Sequence, residues 1–120
     1  MTKQMPNPDN GRPGCHDLAI SYIKANQELH GGIALIPDLL KRQAFGLERY
    51  GTPLQAFNGT NQGLQMYEEL LDGIAYAIAR IEECRERRDP REIDWSIALE
   101  MTVATADLVK SILDKENVGL

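Results

Sequence analysis

The apolar residues between positions 64 and 81 recur with the period of an α-helix. Leu64, Tyr67, Leu71, Ile74, Ile78 and Ile81 step by 3, 4, 3, 4 and 3, which makes one narrow seam of the kind that packs against a partner helix. A second series, Ile93, Ile97, Met101, Ala104, Leu108 and Ile112, follows at helical spacing. No stretch alternates apolar and polar residues as a half-buried strand does, and no internal repeat is visible. Two long periodic segments in 120 residues leave room for a single core. The spacing therefore predicts an all-α, four-helix bundle-like domain.

Boundary residues divide the chain further. Residues 1–14 hold three prolines, two asparagines and two glycines, and read as a flexible N-terminal arm. Leu18, Tyr22, Ala25 and Leu29 predict a first helix from Cys15 to Leu29, stopped by Gly31-Gly32. A second helix begins near Pro37, where the missing proline N–H costs nothing, and ends at Tyr50-Gly51 before Pro53. Asn58-Gly59-Thr60-Asn61-Gln62-Gly63 is turn chemistry without flanking strands, so it reads as a helix–helix loop. The third helix ends near Arg88, and Asp89-Pro90-Arg91-Glu92 has the pattern of a capping box that restarts the chain. The fourth helix reaches Lys115, and residues 117–120 fray. One all-α domain over residues 15–116 results.

Charge narrows the function classes. Thirteen Lys and Arg against eighteen Asp and Glu give −5, which argues against the broad basic footprint that nucleic-acid binding needs. The run Arg85, Arg87, Arg88 and Arg91 complements the end of a helix dipole. No apolar run approaches the roughly 20 residues that span a bilayer, and residues 1–6 lack the apolar block of a secretory signal. Cys15 and Cys84 show no CxxC spacing and read as reduced thiols in a cytoplasmic protein. His16 and His30 have no partners at zinc-ligand spacing.

The chemistry-bearing feature is Glu68-Glu69-Leu70-Leu71-Asp72. Glu68 and Asp72 are four apart and Glu69 and Asp72 three apart, so the carboxylates can approach one point. At about 100° per residue, Gln65, Glu69, Asp72, Tyr76 and Arg80 share one stripe roughly opposite the Leu/Ile seam, with Glu68 on its flank. The plain alternative is a solvated face. No Lys or Arg stands four residues downstream of any of the three acids, and like charges at that spacing repel. A hard divalent cation, Mg²⁺ or alternatively Mn²⁺, accounts for such oxygens. Arg42 and Arg49 lie two turns apart on one face of the second helix, and an arginine fork matches phosphate oxygens. An ordinary Asp38–Arg42 pair is the competing explanation.

The segments Asp38…Arg42…Gly46-Leu47…Tyr50-Gly51-Thr52-Pro53-Leu54…Asn58-Gly59…Tyr67-Glu68-Glu69-Leu70-Leu71-Asp72…Tyr76 resemble a phage-associated branch of the MazG-like all-α nucleoside triphosphate pyrophosphohydrolases, over about residues 36–83. The Glu-Glu-Leu-Leu-Asp segment is similar to that family's ExxD motif. The resemblance implies that Glu69 and Asp72, with Glu68 beside them, hold Mg²⁺. It further implies that Glu68 orients a water toward a phosphoanhydride, that Lys41 and Arg42 neutralise phosphates, and that Tyr50, Asn58 and Tyr76 contact the nucleotide. The family pairs ExxD with an upstream ExxE; here Glu48 stands alone between the second helix and the EELLD segment. Three readings stay open: a Mg²⁺-dependent nucleotide pyrophosphohydrolase, a protein that binds or sequesters a nucleotide or nucleotide signal intact, and a helical scaffold without ligand. The narrow seam and long helices predict self-association to a dimer or tetramer.

Overall fold

The computed structural model describes residues 5–118. Its helices are α1 (Cys15–Ala25), α2 (Gln27–His30), α3 (Ile36–Tyr50), α4 (Gln62–Arg87) and α5 (Glu92–Val118), with a 3₁₀ turn at Ile33–Leu35. Among the described residues there is no strand, only an isolated bridge between Gly14 and Gln55. The fold is all-α, and no described helix is long and apolar enough to cross a membrane. The chain divides into two compact units, one ending at Thr60 and the other beginning at Asn61.

In the first unit, the helix predicted over 15–29 is broken at Asn26. The Asn26 side chain donates to the Tyr22 carbonyl at 2.9 Å, and its backbone leaves the helical region (φ −123°, ψ 25°). Asparagine offers the chain a local alternative to the helix, and here that alternative wins. Ile23 is the buried apolar residue of α1, and Gln43 of α3 donates to Asp17 of α1 at 3.0 Å. Helix α3 has Pro37 in its first turn and closes on Gly51 at φ 72°, whose N–H bonds the Leu47 carbonyl at 2.9 Å. Both boundaries agree with the sequence.

The segment before α1 has no regular structure but is bonded to the loop after α3. Asn7 N–H donates to the Asn58 carbonyl at 2.8 Å and Cys15 N–H to that of Leu54 at 2.7 Å. Gln55, 1% exposed, donates its amide to the Asp9 carboxylate and the Arg12 carbonyl, both at 2.8 Å, and accepts from Asn10 N–H at 3.2 Å. These bonds satisfy a buried amide that would otherwise be costly to bury. Residues 1–4 of the predicted arm lie outside the described residues.

In the second unit, the Asn61 side chain caps α4 by accepting from Leu64 N–H at 3.0 Å. Arg88 stops the helix in the left-handed region at φ 52°. Arg88 N–H then bonds the Arg85 carbonyl at 3.2 Å and Asp89 N–H that of Cys84 at 2.8 Å, the two bonds of a Schellman closure. Asp89 starts α5 by accepting from Arg91 N–H at 2.9 Å. Glu92, expected to reach back in a capping box, instead meets the Arg85 guanidinium at 3.3 Å.

Helices α4 and α5 pack against each other, along half of the predicted α4 seam and away from the predicted α5 series. The buried residues of α4 are Ala77, Ile81 and Cys84. Ideal Cβ atoms at Gly63 and Gly73 would lie 3.1 Å from Leu113 and 3.6 Å from Thr102, both of α5. Small residues among the larger ones on this face thus let the helices approach closely. Of the predicted seam, Ile81 is buried and Tyr67 and Ile74 are half-buried, whereas Leu64, Leu71 and Ile78 stay 41–45% exposed. On α5, Ala106 is buried, and the predicted series from Ile93 to Ile112 lies on the opposite side. α5 runs past the predicted end at Lys115 to Val118; residues 119–120 lie outside the described residues.

Candidate functional site

The sequence-predicted site residues fall on both units. Lys41, Arg42, Tyr50 and Asn58 belong to the first; Glu68, Glu69, Asp72 and Tyr76 belong to α4 of the second.

The acidic segment lies well inside α4, beyond the first turn capped by Asn61, so the helix dipole gives its carboxylates little stabilisation. Glu68 is half-buried; Glu69, Asp72 and Tyr76 are exposed. Among the described residues, no hydrogen bond or ion pair engages Glu68 or Asp72. Of the acids further along α4, Glu86 is likewise unengaged among the described residues, whereas Glu82 and Glu83 are paired. Glu83 accepts from Arg80 at 2.8 Å and Glu82 from Arg85 at 3.1 Å. The Glu83 hydrogen bond raises the pKa of Arg80, the last residue of the predicted stripe. The guanidinium also lies 5.6 Å from the Trp95 ring.

The carboxylates are not gathered round a point: among the described residues, no three His, Cys, Asp or Glu side chains are placed to hold a metal together. Their donor set is nonetheless all oxygen. Glu69 and Asp72 are exposed on the helix, and this set suits a hard cation better than zinc.

In the first unit, Arg42 lies with its guanidinium 4.7 Å from the Phe45 ring, and Arg49 5.5 Å from that of Tyr50. The Asp38–Arg42 ion pair is not formed among the described residues. Both residues instead border an open groove of about 350 Å³ with Tyr22, Ile23, Leu35 and Leu39. Lys41 is exposed and Tyr50 half-buried. Asn58 is 4% exposed, and its side-chain oxygen accepts from Thr60 N–H at 3.1 Å and Thr60 Oγ1 at 2.7 Å. Such a closed Asx turn explains the buried asparagine structurally.

Sequence reasoning missed the Gln55 cluster, where hydrogen bonds from Gly11 N–H and then Gln55 lower the Asp9 pKa. Arg12 packs 4.4 Å from the ring of Phe57, which is held at φ 59°. The Asp9-Asn10-Gly11 turn composition was the available signal; the partner 46 residues away carried none. No family model, curated protein or solved structure matches this chain.

Proposed function

We propose that the protein binds the phosphates of a nucleotide through a divalent cation, Mg²⁺ or Mn²⁺, held by Glu68, Glu69 and Asp72. The reading extends to a cytoplasmic, phage-associated nucleoside triphosphate pyrophosphohydrolase-like protein that self-associates. The observation that carries it is the half-buried Glu68 one turn from Asp72, with no cationic partner to either among the described residues. Carboxylates left without counter-charge at this spacing repel, and a cation removes the repulsion. When bound, such an ion supplies charge that stabilises a phosphoanhydride under attack. Glu68 is the proposed group that orients the water. Tyr76, one turn beyond Asp72 on the same helix, is proposed to contact the nucleotide; Lys41, Arg42, Tyr50 and Asn58 belong to the other unit.

The solitary Glu48, where the resembling family has a second acidic motif, favours an alternative: the nucleotide or nucleotide signal is held and not cleaved. A panel of nucleoside triphosphates and cyclic nucleotides, with and without Mg²⁺, separates the readings. Pyrophosphate release that Asp72→Asn abolishes supports the hydrolase. Recovery of the intact ligand from the complex supports the binder. Silence across the panel leaves a helical scaffold.

A further inference from the structure

On α5, the residues turned away from α4 form an uninterrupted apolar stripe. Ile93, Ile97, Met101, Leu108 and Ile112 are 44–67% exposed, with Ala104 completing the line. At about 100° per residue these positions centre opposite Ala106, the α5 residue buried against α4. The stripe is about 28 Å long at the helical rise. It leaves on the order of 600 Å² of apolar surface in water, comparable with the roughly 800 Å² each partner gives to a stable interface and at the upper end of what a monomer exposes.

The spacing of the stripe indicates what covers it. Its steps are 4, 4, 3, 4 and 4, the same in either direction. A second copy of α5 laid antiparallel therefore matches every apolar position: Ile93 meets Ile112, Ile97 meets Leu108, and Met101 meets Ala104 of the other copy. Lys115 continues the stripe by one further step. Antiparallel pairing sets it opposite Pro90 of the other copy, one turn from Asp94; parallel pairing would set it against another Lys115. We propose that two copies of this chain associate through the outer face of α5, antiparallel about a two-fold axis between residues 102 and 103. This rests on the self-association part of the proposed function and is independent of nucleotide binding.

Sedimentation equilibrium on the full chain at micromolar concentration tests the proposal, with far-UV circular dichroism to verify helix content. The wild type should have twice the chain mass of 13.4 kDa. Ile97→Glu and Leu108→Lys, at exposed positions that leave the α4 contact intact, should each weaken the dimer about tenfold or more while keeping their helix signal. Mixing the two variants should restore a heterodimer, because the introduced carboxylate of one then faces the introduced ammonium of the other, and the second Ile97–Leu108 contact is intact. A wild-type monomer would overturn both this interface and self-association. A dimer indifferent to both substitutions would overturn the interface but leave self-association standing. Two monomeric variants that fail to rescue each other would overturn the antiparallel register, and loss of helix signal in both would overturn the claim that this face lies outside the fold.

Discussion

Asp89 ends one long helix and begins the next. Its carboxylate accepts three hydrogen bonds from the Arg91 guanidinium, the shortest 2.7 Å, and one from Arg91 N–H. The side-chain bond, followed by the backbone bond, lowers its pKa from 3.8 to about 2. A depressed carboxyl contributes stability that is present above pH 4 and is lost as the pH falls through 2. NMR titration of Asp89 should give a midpoint near 2, and Asp89→Asn should remove that titration and flatten acid unfolding between pH 4 and 2. Gln55 is a second residue-scale test. Gln55→Leu removes the partner of Asn10 N–H and of the Arg12 carbonyl, and should cost about 1–3 kcal/mol in urea unfolding. The two residues differ in legibility. Asp89-Pro90 announces itself because its partners are two residues away. Gln55 binds Asp9 and Arg12 across more than forty residues, and nothing in local composition encodes that.

At the scale of elements, the helices and most of their ends follow from sequence, since Pro37, Gly51, Asn61 and Asp89 act through local bonds. The face that α4 turns to α5 does so only in part. The hydrophobic seam places Tyr67, Ile74 and Ile81 correctly, but packing leaves Leu64, Leu71 and Ile78 outside and takes in the small residues Gly63, Gly73 and Ala77. Gly73→Ala should therefore be tolerated and stabilise α4 by up to about 1 kcal/mol, since its Cβ meets Thr102 at ordinary contact distance. Ala77→Leu should overpack the same face at a cost of about 1–3 kcal/mol. Thermal unfolding monitored by circular dichroism checks both. Arg88, at φ 52° where a Schellman closure favours glycine, gives an opposite-signed test: Arg88→Gly should stabilise by about 1 kcal/mol in the same assay.

At the scale of the whole molecule, two of the proposed properties use surface left over from folding. The outer face of α5 is apolar and turned away from α4, the helix it packs against. Glu68 and Asp72 are acidic where no basic residue among those described pairs with them. The acidic motif is legible in sequence because a helix converts spacing into proximity. The ligand geometry is not, because surface carboxylates take their final rotamers only around whatever they hold. Asn58 shows the reverse case: an asparagine that resembles a nucleotide contact is closed on Thr60 within its own loop. Isothermal titration calorimetry of Mg²⁺ and Mn²⁺ into the full chain, with and without a non-hydrolysable nucleoside triphosphate, addresses the acidic segment most directly. Saturable uptake that nucleotide strengthens and Asp72→Asn weakens at least tenfold is expected; absence of uptake in every mixture, or uptake unchanged in Asp72→Asn, would contradict a cation held by these carboxylates.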